Sequence, residues 1–174
     1  VLMTYLTTCQ IYDPDSALWY PAASPSEFRS KLILVNSGKV LAVGISTSGQ
    51  VYDPATDSWS NVSNSLSSNV TGADGVNLLG DGRVIIIGGG TGGADIYDPG
   101  TNSFSQASTM FVGIPLASAV TTNNGNIVVF GPSSAVDGTD TKTIQVYSGS
   151  TDQWYTATYT FYGPARSRLH VLAN

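Results

Sequence analysis

The stretch Ile96-Tyr97-Asp98-Pro99-Gly100-Thr101-Asn102-Ser103-Phe104 decides the fold, because its pattern occurs four times in a chain of 174 residues. In every copy an aliphatic residue precedes a Tyr, and an aromatic residue follows that Tyr by seven positions. The four pairs are Tyr12 and Trp19, Tyr52 and Trp59, Tyr97 and Phe104, and Tyr147 and Trp154. The tyrosines are 40, 45 and 50 residues apart (52−12, 97−52 and 147−97). A repeat of this length indicates an array of equivalent supersecondary units.

Each copy of this stretch predicts a β-hairpin whose two aromatic residues face each other across neighbouring strands. Three copies carry Asp-Pro after the Tyr, at Asp13, Asp53 and Asp98. Asp accepts a hydrogen bond from its own downstream backbone, and Pro fixes φ at a value that suits a turn. We therefore assign these aspartates to turn capping and not to an acidic ring of ligands.

A second hairpin precedes each tyrosine hairpin. Apolar runs at 31–35, 75–79 and 116–120 lead through Gly- and Asn-rich turns into apolar runs at 40–44, 84–88 and 127–131. Asp-Gly or Asn-Gly between β-branched runs is a strong hairpin signal. Runs that are apolar throughout are typical of strands buried on both faces. Each repeat is thus four short antiparallel strands, and such sheets must stack on one another to cover their faces.

One copy resembles the kelch repeat most fully. It contains Ile85-Ile86-Ile87-Gly88-Gly89-Gly90, then Tyr97-Asp98, then Phe104. The resemblance implies an all-β fold, a kelch-type β-propeller of about four blades, each with four antiparallel strands, over residues 1–174 as one domain. Two copies depart from the paired glycines, with Gly44-Ile45 and Gly131-Pro132. WD40 repeats would show Gly-His and Trp-Asp pairs, which this sequence lacks.

The two ends of the sequence fall at the same hairpin turn of the repeat. Residues 1–6 match the second strand of a blade, and residues 168–173 match a first strand. We therefore expect the ring to be closed by pairing of the N- and C-terminal strands, which removes exposed sheet edges. Three interpretations stay open: closure within one chain, a homo-oligomer that shares closure strands, or a fragment or subunit of a larger propeller.

Composition limits the partners. The net charge is −5, charged residues make up 11% of the chain, and Lys and Arg form no stripe. This excludes nucleic-acid binding through phosphate contacts, and no apolar run is long enough for a membrane span. No charged leader or signal peptide is visible. Cys9 has no second cysteine and is expected to be a buried small residue. Sequons make Asn61 and Asn69 candidate glycosylation sites, which indicates an extracellular or secreted protein.

The sequence contains no complete set of catalytic residues. The kelch resemblance raises the copper radical oxidases, whose metal is held by two Tyr and two His, with a Cys cross-linked to one Tyr. This chain has one His, His170, and one Cys. The run Gly88–Gly93 lacks the Lys of a phosphate-binding loop. We therefore expect no catalytic residue, no metal site and no cofactor.

Binding through loops carried by a rigid scaffold is the remaining function. The longest variable connections are 60–74 and 131–142. One aromatic and arginine-rich segment contains the candidate binding residues Tyr155, Tyr159, Phe161, Tyr162, Arg166 and Arg168. Aromatic rings beside arginine can hold a sugar or a protein, or they can pack beneath the closure strand. The sequence predicts a non-catalytic extracellular binding or structural module for protein or glycan contacts. The alternative is a fragment of a secreted kelch-propeller enzyme, copper radical oxidase-like, whose catalytic residues lie outside this chain.

Overall fold

The computed structural model describes residues 1–5, 8–44, 46–67, 75–88, 92–111, 118–132, 141–156 and 161–162. Within these ranges the chain forms sixteen β-strands in four antiparallel sheets, and it contains no helix. The prediction of an all-β fold built from repeated antiparallel sheets is confirmed. No sheet closes on itself among the described strands.

The four sheets follow one another along the chain. Sheet 1 consists of β1 (Leu2–Tyr5), β2 (Thr8–Asp13) and β3 (Leu18–Ala22). Sheet 2 consists of β4 (Arg29–Leu34), β5 (Val40–Gly44), β6 (Gly49–Asp53) and β7 (Ser58–Asn61). Sheet 3 consists of β8 (Gly75–Leu78), β9 (Val84–Gly88), β10 (Gly93–Asp98) and β11 (Ser103–Gln106). Sheet 4 consists of β12 (Ser118–Thr121), β13 (Ile127–Pro132), β14 (Thr141–Ser148), β15 (Gln153–Thr156) and the short β16 (Phe161–Tyr162). In every sheet consecutive strands pair, and β16 pairs with the start of β14.

The turns between the first two strands of sheets 2, 3 and 4 each contain a glycine that the backbone requires. Gly38, Gly82 and Gly125 have φ values of 82°, 90° and 80°. This left-handed region strains any residue with a Cβ, so glycine ends these turns at least cost. The repeated glycine of the sequence is thereby explained by backbone geometry.

The tyrosine hairpins share one turn. Its fifth residue is left-handed in all four sheets, at Ala17, Asp57, Asn102 and Asp152. The turn begins with an aspartate in sheets 1, 2 and 3. The backbone N–H two residues further on donates to that carboxylate at 3.1, 2.9 and 2.7 Å in sheets 1, 2 and 3. The assignment of these aspartates to turn capping is confirmed.

Sheet 3 is buried on both faces, which explains the unbroken isoleucine run of β9. Val84 and Ile86 pack in one apolar cluster with residues of sheet 2, including Leu41. Ile85 and Ile87 alternate with them and pack in a second cluster with residues of sheet 4, including Ile127 and Val129. Side chains alternate between the faces of a strand, so a strand with two covered faces must be apolar at every position.

The sheets also meet edge to edge through their first strands. β8 lies beside both β4 and β12, and the Thr121 hydroxyl donates to the Leu78 carbonyl at 2.8 Å. In sheet 1, β1 pairs with β2 so that Val1 lies opposite Tyr12, as Val40 lies opposite Tyr52 in sheet 2. β1 therefore corresponds to a second strand. The predicted first strand at 168–173 lies outside the described residues.

Candidate functional site

The repeated aromatic residues form four ring contacts. The centroids are 5.2 Å apart for Tyr12 and Trp19, 5.1 Å for Tyr52 and Trp59, 5.7 Å for Tyr97 and Phe104, and 5.1 Å for Tyr147 and Trp154. The strand register places the members of each pair opposite each other. Three of the pairs lie against the preceding sheet, and the pair in sheet 1 is largely exposed, with Trp19 46% accessible.

Each of these three pairs takes part in a group of hydrogen bonds to the chain that leaves the preceding sheet. We call each such group a tie. In sheet 2, the Tyr52 hydroxyl donates to Asp57 Oδ1 at 2.7 Å, and the same oxygen accepts from the Ala23 backbone N–H at 2.8 Å. The Trp59 indole N–H donates to the Ala23 carbonyl at 2.7 Å. Ala23 follows β3, so Asp57 and Trp59 together hold the chain that leaves sheet 1.

Sheet 4 repeats this geometry on the chain that leaves sheet 3. Asp152 Oδ1 accepts from the Tyr147 hydroxyl at 2.8 Å and from the Ser108 backbone N–H at 3.0 Å. The Trp154 indole N–H donates to the Ser108 carbonyl at 2.7 Å. In addition, the Ser108 hydroxyl donates to the Asp152 carbonyl.

Sheet 3 uses a variant of the tie. The Tyr97 hydroxyl donates to Asn102 Oδ1 at 3.1 Å, and the Asn102 amide donates to the Asn61 carbonyl at 3.1 Å. The backbone N–H and the hydroxyl of Ser63 both donate to the Asn102 carbonyl, at 3.0 and 2.8 Å. Phe104 has no N–H on its ring, and Asn64 pairs with its backbone instead.

A second tie uses the residue two positions before each tyrosine, and sequence reasoning missed it. Gln50, Asp95 and Gln145 are buried and accept from backbone N–H groups of the chain that leaves the preceding sheet. The donors are Ser26 at 3.0 Å, Ser67 at 3.2 Å and Phe111 at 2.9 Å. The signal was a Gln or Asp two positions before every repeated tyrosine, a polar residue at a position where the strand is otherwise apolar.

The ties shift the pKa values of their members. Burial, and then the hydrogen bond to the aspartate, raise the pKa of the Tyr52 and Tyr147 hydroxyls. The hydrogen bonds from Ala23 and Tyr52 lower the pKa of Asp57. Burial acts to raise the pKa of Asp152, but the hydrogen bonds from Ser108 and Tyr147 outweigh it and the pKa falls. The tyrosine therefore keeps its proton while the carboxylate is ionised.

A polar cleft of about 260 Å³ opens at one end of sheet 2. Its walls come from the start of β4, the start of β6 and the segment after β7, and they include Glu27, Arg29, Ser48, Asn61, Asn64 and Ser65. Hydroxyl, amide, carboxylate and guanidinium groups therefore line it, with no aromatic ring. Sequence reasoning did not identify this cleft, because its residues come from three separate segments.

Arg29 is the most unusual residue of the cleft, because its side chain is only 1% accessible. Its guanidinium donates to the carbonyl and the hydroxyl of Ser48 at 2.7 and 3.1 Å, and Nη2 lies 3.6 Å from Glu27 Oε2. Burial lowers the pKa of Arg29, and the Glu27 charge opposes that shift. Arg29 Nε is buried and has no hydrogen-bond partner in the described part of the chain.

Glu27 is held in its ionised form. Hydrogen bonds from the Ser46 and Ser48 hydroxyls, at 2.7 and 2.9 Å, lower its pKa, and the charge of Arg29 adds to the effect. Glu27 is half-exposed, so its carboxylate is open to solvent at the mouth of the cleft. A neutral polyhydroxyl compound matches such a mixture of one anion, one cation and several hydroxyls.

The aromatic and arginine-rich segment predicted from the sequence is described only in part. Tyr155 is 51% accessible and pairs with Val146 of β14. Phe161 and Tyr162 form β16 and pair with Lys142 and Thr141 at the other end of the same strand. The backbone thus brings these three positions to one strand, β14. The other three predicted members, Tyr159, Arg166 and Arg168, lie outside the described residues, as does His170.

The predicted glycosylation sites and the cysteine differ in their surroundings. Asn61 is exposed, and its side-chain carbonyl accepts from Gln50 Nε2 at 2.9 Å. Asn69 lies outside the described residues. Cys9 is buried, and burial raises the pKa of its thiol, which disfavours the reactive thiolate.

The described residues contain no group of three or more His, Cys, Asp or Glu that could hold a metal ion. In the same ranges, no helix is long and apolar enough to cross a membrane. No protein-family model matches the chain, and the search of curated proteins finds no match.

Proposed function

We propose that the chain is a kelch-type β-propeller of four blades that acts as a non-catalytic extracellular binding module for glycans. Four antiparallel sheets of one repeated design, joined in order by the same ties, support the propeller architecture. The second sequon, Asn69-Val70-Thr71, supports an extracellular location. The polar cleft around Arg29 carries the binding proposal.

The open edge of β1 supports closure of the ring. Val1 exchanges both backbone hydrogen bonds with Tyr12, so the amides of Leu2 and Thr4 point to the edge opposite β2. A cleft of about 570 Å³ lies at this edge, between β1 and the start of β4. Residues 168–173 are the strand that we assign to it.

Hydrogen exchange of backbone amides tests closure. We expect the Leu2 and Thr4 amides to exchange slowly, and we expect the same of the Met3 amide because Met3 pairs with Gln10. Rapid exchange at Leu2 and Thr4 together with slow exchange at Met3 would show that the edge is bare and that residues 168–173 do not close the ring.

Glycan binding is argued from the chemistry of the cleft. The Arg29 guanidinium forms part of the wall, the exposed Glu27 carboxylate is an acceptor, and Ser65 and its neighbours offer hydroxyl groups. Sugar hydroxyls donate and accept at once, so they satisfy such a set without bringing a charge of their own. Buried polar groups gain most from a partner when water is displaced.

The same cleft does not support glycoside hydrolysis. That reaction needs two carboxyl groups on either side of the bond to be cleaved. Among the described residues that line the cleft, Glu27 is the one carboxylate, and its lowered pKa removes it from the role of proton donor. We therefore propose binding, and not cleavage, for this cleft.

A titration with a panel of neutral oligosaccharides, followed by amide chemical shifts, tests the proposal. We expect shifts at Ser63, Asn64 and Ser65, and a loss of affinity of about tenfold or more in Glu27→Ala. Thr151→Ala, on an exposed turn of sheet 4, is the matched control and should bind normally. The proposal is wrong if no sugar shifts these amides at millimolar concentration, or if Glu27→Ala binds as the wild type does.

A further inference from the structure

The amide of Asn61 is fixed in one orientation at the wall of the polar cleft. Asn61 ends β7 and lies opposite Gln50 of β6. Gln50 Oε1 accepts from the Ser26 backbone N–H at 3.0 Å, and Gln50 Nε2 donates to Asn61 Oδ1 at 2.9 Å. Because the oxygen of the Asn61 amide is directed to Gln50, its Nδ2 is directed away from Gln50. Nδ2 is therefore the donor that Asn61 can offer to a ligand in the cleft that it lines.

The backbone around Asn61 is held in place by sheet 3 and by β6. The Asn61 carbonyl accepts from Asn102 Nδ2 at 3.1 Å. The next backbone N–H, that of Val62, donates to the Gly49 carbonyl at 2.9 Å, and the Val62 side chain is buried in the apolar cluster shared by sheets 2 and 3. A donor on such a fixed backbone loses little conformational entropy when it binds a ligand.

Glu27 provides a fixed acceptor on the wall of the same cleft. The Ser46 and Ser48 hydroxyls donate to Glu27 Oε2 at 2.7 and 2.9 Å. Arg29 Nη2 lies 3.6 Å from the same oxygen. Among the described residues, all of these contacts end on Oε2, so Oε1 is the oxygen left for a ligand. An ionised carboxylate accepts hydrogen bonds and cannot donate them.

Among the described sheets, sheet 2 alone combines these two groups. Glu27 is the single glutamate of the sequence. In the other sheets, the pair equivalent to Gln50 and Asn61 does not consist of two amides. These pairs are Gln10 and Pro21, Asp95 and Gln106, and Gln145 and Thr156. The fixed donor and the fixed acceptor are therefore a feature of the cleft and not of the repeat.

We propose that the cleft recognises the acetamido group of an N-acetylated amino sugar, whose N–H donates to Glu27 Oε1 and whose carbonyl accepts from Asn61 Nδ2. Glu27 precedes β4 and Asn61 ends β7, the two edge strands of sheet 2, so the two groups enter the cleft from opposite sides. A sugar hydroxyl must lie within about 3 Å of both groups at once to pair with them. The N and O of an amide are about 2.3 Å apart and point in opposite directions, so an acetamido group bridges a wider gap.

This inference rests on the proposed glycan binding and names the class of sugar. A peptide group carries the same N–H and C=O. The sugar is favoured because Ser65 also lines the cleft, and its hydroxyl can pair with the ring hydroxyls that a peptide lacks.

Two pairs of methyl glycosides test the choice of sugar, because the members of each pair differ only at C2. The pairs are N-acetylglucosamine with glucose, and N-acetylgalactosamine with galactose. The full chain is produced in a bacterial host, since a glycan attached to Asn61 Nδ2 would fill the site, and binding is followed by the amide shifts of Ser63, Asn64 and Ser65. In at least one pair we expect the acetamido sugar to bind about tenfold more tightly than its partner.

The outcomes separate this inference from the proposed function. If the neutral oligosaccharides bind but no acetamido sugar binds more tightly than its hydroxyl partner, this inference is wrong and glycan binding stands. If no sugar binds, glycan binding itself fails. Binding of N-acetyl-triglycine as tight as that of the acetamido sugar would overturn the assignment to a sugar.

Two variants test the roles of the two side chains. Asn61→Asp keeps an acceptor for Gln50 Nε2 but replaces the donor Nδ2 by an oxygen. In Glu27→Gln the amide oxygen keeps the place of Oε2 among its donors, so an NH₂ group replaces the acceptor Oε1. Both variants should reduce the tenfold preference for the acetamido sugar to about twofold or less.

Asn124→Asp is the matched control, because it makes the same change of amide to carboxylate on an exposed turn of sheet 4. This control should keep the full preference, and amide shifts outside the cleft report that each variant is folded. A preference that is retained in Asn61→Asp or in Glu27→Gln would overturn the proposal. An equal loss of affinity for both members of a pair would also overturn it, because these side chains would then not distinguish the acetamido group.

Discussion

The tie between sheets 3 and 4 predicts that Asp152→Ala destabilises the fold far more than its surface position suggests. Asp152 lies on an exposed turn, yet its Oδ1 accepts from the Tyr147 hydroxyl and from the Ser108 backbone N–H. The Tyr147 side chain is fully buried. Removal of the carboxylate therefore leaves a buried hydroxyl without an acceptor.

The magnitude follows from two contributions. A buried donor left unpaired costs about 1–3 kcal/mol. An alanine at the left-handed φ of 51° adds about 1 kcal/mol relative to Asp. We expect Asp152→Ala to lower the free energy of unfolding by about 2–4 kcal/mol. Asp152→Asn should cost less than about 1 kcal/mol, because Asn keeps an acceptor and tolerates this backbone conformation, as Asn102 does.

Urea denaturation at neutral pH measures these values, with the slope required to stay constant between variants. Thr151→Ala, on the same turn, is the control and should stay within about 0.5 kcal/mol of the wild type. A double-mutant cycle with Tyr147→Phe should give a coupling energy of about 1–2 kcal/mol. A cost below about 1 kcal/mol for Asp152→Ala, or a coupling energy of zero, would refute the tie.

Three further predictions concern pH, packing and backbone strain. Because the folded-state pKa values of Asp57 and Asp152 are lowered, their stabilisation is present above the unfolded Asp pKa of about 3.9 and is lost as pH falls through the folded values. Asp57→Asn with Asp152→Asn should therefore flatten the acid limb of a plot of unfolding free energy against pH, and an unchanged limb would contradict the shifts. Phe104→Ala should cost about 3–5 kcal/mol in urea denaturation, and a loss below about 1 kcal/mol would contradict its place in the core. Gly38→Ala should lower the free energy of unfolding by about 1 kcal/mol in urea denaturation. The cost comes from φ alone, because no atom lies within 4 Å of the added Cβ. A neutral result would contradict the left-handed turn.

The strands and turns were predictable because local physics specifies them. Asp53 followed by Pro54 marks a turn in any context, and the isoleucine run of β9 can only be a strand covered on both faces. The ties between sheets were not predicted. In the sequence, Gln50 and Gln145 look like ordinary polar residues. Their side chains accept hydrogen bonds from backbone N–H groups more than 20 residues away along the chain, and the sequence does not show these partners.

The polar cleft was also beyond sequence reasoning, for a related reason. The register of β4 against β5 shifts between Arg29 and Lys31, and Arg29 is buried at the start of this strand, which is longer than β8 and β12. No residue type in the sequence predicts this shift of register. The aromatic cluster, in contrast, was predicted from the sequence. Tyr155 is one of its described members, and Tyr159, Arg166 and Arg168 lie outside the described residues.

The repeats are most alike in the hydrogen-bonded ties that join neighbouring sheets. They differ in local features that belong to one sheet, such as the polar cleft of sheet 2. The tie is kept in three sheets with one exchange, Asn102 for Asp, that preserves both the acceptor and the backbone conformation. Ala17 preserves neither, so sheet 1 lacks the side chain that sheets 2, 3 and 4 use to hold the chain that leaves the preceding sheet. The Arg29 cleft lies at one end of sheet 2, and the Thr4 hydroxyl of β1 donates to the Arg29 carbonyl at 3.3 Å. A side-chain hydrogen bond from β1 therefore reaches the residue that forms the buried wall of the cleft.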